Sequence, residues 1–294
     1  MTMTRSWAVR AAATAFSGLL VCSLAACAAS EGPVRGPGRA GAAAGAPAGT
    51  PAGTAHLAGC PTVDVLGIYT PKAVAAVGGD HRLPATSRTI AARMNRSLKD
   101  SGVCGKIRFL RSYAATDYTG SDEFSSAYHH IKDPDDPLGA EAHRQRDRYG
   151  ADLVVLLVNQ PERGGGTADY TTTLDRASDE YAYSIADIQG VDLDSVSHEM
   201  GHNLGLAHDR DTIDADPEGR MRISTTRPYN TGWITPDRQY FTIMAYQGTC
   251  GPSCRRISQF SNPDRTYRGQ RLGDEGSNNA RVLRETLPIV AGYR

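Results

Sequence analysis

From Cys60 onward, apolar residues recur in short patterned runs, and each run predicts an element. VDVLGIY (Val63 to Tyr69) predicts a strand. In ATSRTIAARMNRSLKDSG, Ile90, Met94 and Leu98 return every fourth residue along one helix face, and Gly102 stands at the cap. KIRFLRSY (Lys106 to Tyr113) alternates around Ile107 and Phe109 and predicts a second strand. GAEAHRQRDRYG (Gly139 to Gly150) predicts a polar helix with glycine at both ends. DLVVLLV (Asp152 to Val158) is a continuous apolar run, the pattern of a strand buried on both faces. This order of strands and helices predicts an α/β (α+β) domain built on a mixed sheet. A glycine-rich turn follows, RGGGTADY (Arg163 to Tyr170). EYAYSIADIQ (Glu180 to Gln189) then alternates and predicts an edge strand. SVSHEMGHNLGLAHDR (Ser195 to Arg210) opens as a helix with Asp192 or Asp194 as its N-cap. Residues 209–240 show no strong period, and SNNARVLRETLPIVAGY predicts a C-terminal helix interrupted or kinked near Pro288.

The first residues follow a different logic. Arg5 and Arg10 precede a short alanine-rich apolar run, the pattern of an export signal. It ends in LAAC, which resembles a bacterial lipobox, so residues 1–26 are expected to be removed and Cys27 lipidated. Residues 27–59 are mostly Ala, Gly, Pro and Thr, which bury too little apolar surface to fold, and are expected to form a flexible tether. The expected location is the outer face of a bacterial membrane, through the lipid anchor, or outside the cell. Of six cysteines, Cys60, Cys104, Cys250 and Cys254 remain in the patterned region. Proximity favours Cys60–Cys104 and Cys250–Cys254 among the three connectivities that four cysteines allow. Lys+Arg and Asp+Glu both number 32, so the charge balance calls for no nucleic-acid partner. A monomer is expected.

The chemistry concentrates in HEMGHNLGLAHD. On a helix His198 and His202 project one turn apart from one face, close enough to share a metal ion. Gly205 lets the chain leave the helix and return His208 as a third nitrogen. Three protein ligands with an open fourth position mark a catalytic zinc site, and Glu199 beside the first ligand is placed to act as general base and acid. HH at His129 and His130 falls in a stretch read as a polar loop, and DPDD (Asp133 to Asp136) has no regular calcium loop, so a single zinc is the expected metal and Ca²⁺ is unsupported.

HEMGHNLGLAHD, with FTIMAY about 35 residues further on, resembles the metzincin metalloproteases. With QFSNPDRTYRGQRLG and NNARVLRETLPIV, the resemblance is closest to bacterial peptidyl-Asp metalloendopeptidases and reprolysin-like secreted proteases. It implies a zincin fold: a twisted mixed sheet with helices, a catalytic helix, and a small irregular C-terminal subdomain. Residues 60–208 would be the upper part and 209–294 the lower. It also implies that Met244 forms an apolar floor under the metal, with Gly205 and Asp209 supporting the site, and that Tyr246 can stabilise the reacting carbonyl. The substrate would be protein or peptide, laid along a sheet edge. A preference for aspartate would need a cation, for which Arg210, Arg220, Arg222 and Arg227 are candidates. The rival readings are a zinc-containing cell-surface binding protein on a protease scaffold and a zinc hydrolase of a non-peptide amide.

Overall fold

A computed structural model describes residues 59–160, 165–189, 194–216, 219 and 221–294. The expectations for the signal, Cys27, the tether, Asp192, Arg163 and Arg220 lie outside these residues.

The chain opens with β1 (Thr62–Tyr69), α1 (Pro71–Val77), α2 (Leu83–Asp100) and β2 (Lys106–Ala114). Then come α3 (Phe124–Lys132), α4 (Pro137–Tyr149), β3 (Leu153–Val158), β4 (Gly166–Ala168) and β5 (Tyr183–Asp187). The five strands form one sheet in the order β2-β1-β3-β5-β4. All pairings are parallel except β4 with β5, which is antiparallel. The sheet is therefore mixed, as the patterning predicts. All six residues of β3 are buried. A strand buried on both faces needs a helix layer on each. α2 and α5 (Asp194–Asn203) pack on one another, as do α3 and α4.

Local chemistry explains the helix ends. Thr70 caps α1 by accepting from the Ala73 amide at 3.2 Å. After α2, Gly102 takes φ 74°, its amide bonds Lys99 O, and the Val103 amide bonds Leu98 O at 2.8 Å. That pair of bonds satisfies the last carbonyls of the helix and places glycine one residue past the cap.

Three expectations change. EYAYSIADIQ does not supply the edge: β5 is wholly buried between β3 and β4, and the short β4 is the edge. Three residues of a glycine-rich turn carry no readable period, whereas YSIAD is apolar enough to sit inside. His129 and His130 lie in α3, not in a loop, and the acidic segment after them caps the next helix, with Asp136 accepting from the Leu138 amide at 2.8 Å. Gly139 is inside α4 rather than at its start, because Asp136 caps the helix and Pro137 opens it; a side chain at Gly139 would strike the carbonyl of Asp133.

Beyond α5 the regular elements shorten: α6 (Arg210–Asp214), β6 (Tyr240–Phe241), α7 (Gln247–Cys250), β7 (Arg255–Arg256), β8 (Asn262–Tyr267) and β9 (Gln270–Leu272). The last helix, α8 (Asn279–Val290), runs on through Pro288 for two more residues. Cys60 is bonded to Cys104, with Cα atoms 5.1 Å apart, and Cys250 to Cys254 at 5.8 Å. The first pair follows from parallel neighbours: Thr62 is in register with Lys106, so the residues just before both strands lie side by side. No helix among the described residues is long and apolar enough to cross a membrane.

Candidate metal centre

α5 carries His198 and His202 one turn apart, and both are buried. The helix stops at Asn203 because Gly205 takes φ 86°. Its amide bonds His202 O at 2.9 Å, and the Leu206 amide bonds Gly201 O at 3.0 Å. This cap satisfies the helix end and turns the chain back on itself. Asn230 holds the reversed strand: its carboxamide donates to Gly205 O at 2.9 Å, and its backbone carbonyl accepts from the Ala207 amide at 2.8 Å. His208 is thereby delivered to the other two histidines. His202 Nε2 lies 3.2 Å from His198 Nε2 and 3.1 Å from His208 Nε2.

The opposite ring nitrogens fix the tautomers. His198 Nδ1 donates to Ile243 O and His202 Nδ1 to Leu206 O, each at 2.8 Å. Both protons are thus placed away from the centre, and the Nε2 lone pairs face inward. Burial pushes the His202 imidazole down to about 4, and pushes His208 well below its ordinary range, helped by the other two rings. Burial, His202 and the charge of Arg256 lower His198 in the same way. Neutral, buried imidazoles with lone pairs in contact repel one another unless a cation sits among them. The donor set therefore fits a divalent metal that accepts nitrogen.

Glu199 is buried against the edge of the sheet. A Cβ on Gly166 of β4 would lie 2.6 Å from Glu199 Cγ and 2.2 Å from Ile185 O, so only glycine lets the edge strand come this close. Burial raises the Glu199 carboxyl to about 8, and a cation beside it would pull that value back down. Met244 is fully buried under the helix: a Cβ on Gly201 would lie 2.6 Å from its sulfur. Its turn also supplies Ile243 O, the acceptor that orients His198. The Tyr246 hydroxyl points into the cluster, 3.0 Å from His208 Nε2 and 3.4 Å from His198 Nε2.

Asp209 joins the two halves of the site. One carboxylate oxygen accepts from the Thr212 amide at 2.9 Å, capping α6, and the other accepts from the Tyr246 amide at 3.2 Å. The residue after the third histidine thus anchors the residue whose phenol faces the cluster. Asn230, Asn203 and Gly166 were not singled out by the sequence. Asn203 donates to the carbonyls of Asp169, Tyr181 and Tyr183, tying α5 to the sheet edge. Asn230 is a lone asparagine in an unpatterned run, and Asn203 is one polar residue among the histidines, so neither signals such a role; Gly166 stood only as one of three glycines in a turn. Among the arginine candidates, Arg227 pairs with Glu285, and Arg210 donates to the carbonyls of Pro228 and Gly276. Arg256, absent from those candidates, is the arginine whose charge bears on His198.

Residues 61–261 match a reprolysin model described as Metallo-peptidase family M12. The chain belongs to this metallopeptidase family. The M12 chain is 30% identical over 239 residues to a peptidyl-Asp metalloendopeptidase of Stenotrophomonas maltophilia, covering 79% of this chain and 53% of that one. A peptidyl-Asp metalloendopeptidase of Xanthomonas campestris is 28% identical, with 79% and 52% covered, and one of Pseudomonas aeruginosa is 29% identical, with 79% and 40% covered. The chain thus spans about half the length of the curated relatives it matches, or less. A chain in a solved structure titled "Structure of a chaperone-substrate complex" aligns with TM-score 0.59 and 20% identity, over 80% of this chain and 35% of that chain, a likeness of fold.

Proposed function

We propose that this member of family M12 is a zinc-dependent metalloendopeptidase. The observation that supports it best is the convergence of three imidazole nitrogens and the Tyr246 hydroxyl beside the buried Glu199. His198, His202 and His208 would hold one zinc ion, which when bound supplies Lewis acidity to a peptide carbonyl and to water. Glu199 takes the proton of the attacking water and passes it to the leaving amide nitrogen. The Tyr246 hydroxyl donates to the oxygen on which charge develops. Met244 keeps the floor apolar, and Asp209 keeps Tyr246 in place. β4 offers its outer edge to an extended peptide, within reach of Glu199 through the close approach at Gly166.

The names of the relatives suggest aspartate beside the scissile bond. Arg256 suits that role: it is half-buried on β7, its guanidinium lies 5.4 Å above the Phe241 ring, and its charge is felt at His198. The catalytic domain is proposed to span residues 60–294, divided near His208 into the sheet part and the irregular part. Two disulfides suit an oxidising compartment, in keeping with export. Lipidation of Cys27 is the proposed anchor, and the mass of the N-terminal peptide of the mature chain tests it.

The decisive experiment is metal content together with digestion of an unbiased peptide library, run beside Glu199→Gln and Arg256→Gln. Zinc near one per chain, cleavage lost in the first variant and side-chain preference relaxed in the second are the expected results. Full cleavage by Glu199→Gln would refute the mechanism. An unchanged preference in Arg256→Gln would remove that arginine from the pocket.

A further inference from the structure

A cleft of about 850 Å³ opens beside the start of α5. One wall is the outer face of α2, with Arg88, Thr89, Arg93 and Arg96; the other carries Asp194 and Ser258. From Leu83 to Lys99, α2 holds Arg88, Arg93, Arg96 and Lys99 and no acidic residue. The carboxylate in the cleft is already engaged: Asp194 takes a bond from Arg93 at 3.3 Å and one from the Ser258 hydroxyl at 2.6 Å. Arg88 and Arg96 are exposed and, among the described residues, form no ion pair. They stand two turns apart, roughly 12 Å along the helix. That spacing suits carboxylates about three or four residues apart on an extended chain better than one compact phosphate.

The cleft opens at the start of the helix that carries His198 and His202. Asp194 precedes His198 by one helical turn, and Ser258 follows Arg256 by two residues.

We propose that this cleft binds acidic side chains of the polypeptide substrate at positions away from the bond that is cut. It is a second, electrostatic contact, separate from any residue that reads the side chain at the scissile bond. The proposal rests on the peptidase reading.

The probe is a pair of peptides with one cleavable core. One continues into a tail of Asp and Glu, and the other carries Asn and Gln at the same positions. The wild-type chain should cleave the acidic peptide with kcat/KM roughly fivefold higher, the scale of two exposed charge pairs. In Arg88→Ala/Arg96→Ala that preference should vanish while the neutral peptide is cut at the wild-type rate. Arg88→Lys/Arg96→Lys should restore most of it. The preference should also collapse at about 1 M salt, where the screening length falls to roughly 3 Å. Equal preference in the double alanine variant, or none in the wild type, overturns the cleft. Binding is read independently by fluorescence anisotropy of the labelled acidic tail alone on Glu199→Gln. Binding there that depends on the two arginines upholds the cleft even if no peptide is hydrolysed. Hydrolysis of the neutral peptide without any tail binding upholds the peptidase and removes the cleft.

Discussion

β3 and the stretch from Ala207 to Met244 hold comparably buried residues by different means. Leu156 in β3 and Ile243 and Met244 near the end of the stretch are all fully buried. β3 is held by ladders to β1 and β5 and by a row of apolar side chains. Among the described residues, the later stretch has only isolated bridges and the two-residue β6. It is held by Asn230, Asp209 and Thr231, and by the contact of Gly232 with the backbone at Met244. The first kind of order is repetitive and tolerant; the second depends on single side chains. The candidate metal centre sits where the two meet: α5 extends the regular half, while His208, Met244 and Tyr246 come from the irregular half.

The chemical join should break most sharply. Glu199→Gln preserves shape and the three histidines but removes the proposed base, so hydrolysis should fall about 10²–10⁴-fold while bound zinc, measured by elemental analysis, stays the same. Next comes the ladder half. Leu156→Ala should lose roughly 4 kcal/mol in urea unfolding, since it empties a fully buried site. The disulfides sharpen the contrast. Removing Cys60–Cys104, which spans a sequence separation of 44, should cost about 4 kcal/mol by loop entropy, whereas Cys250–Cys254, with a separation of 4, should cost about 2 kcal/mol. Equal losses would show that loop entropy does not set the difference.

Asn230→Ala tests the irregular half. It removes bonds to Gly205 O, the Tyr170 hydroxyl and the Ser224 amide, and should cost about 2 kcal/mol. It should also weaken zinc in a competition titration, because the chain that returns His208 loses its clamp. Unfolding without any change in zinc affinity would sever the two. The smallest effect belongs to Tyr246→Phe: turnover should fall roughly tenfold with KM unchanged, as expected for one hydrogen bond that strengthens in the transition state. Full turnover would leave Tyr246 a packing role.

Much of the regular half was legible. The apolar run of β3, the four-residue period of α2 and the alternation in β2 each record a local rule that burial enforces over many residues. α3 was missed because its buried apolar positions reduce to Ala127 and Ile131, flanked by polar residues. The edge strand was misassigned because β4 is three residues long, and its defining feature is an absence of side chain at Gly166. The arginine whose charge bears on His198 was missed because a charge says nothing about which face it will occupy.

By itself the sequence determined the spacing of His198, His202 and His208, the glycine that reverses the chain between them, the glutamate behind the first, and the strand-helix order beneath. These follow from local geometry: one helical turn brings two imidazoles together, and one residue with positive φ brings the third. Only the tertiary structure decided that β4 forms the edge beside Glu199, that Asp209 anchors Tyr246, that the charge of Arg256 bears on His198, and that α2 turns its arginines into a cleft at the start of α5. Those are contacts between residues distant in sequence. Each is made once, so none leaves a period or motif from which it can be read.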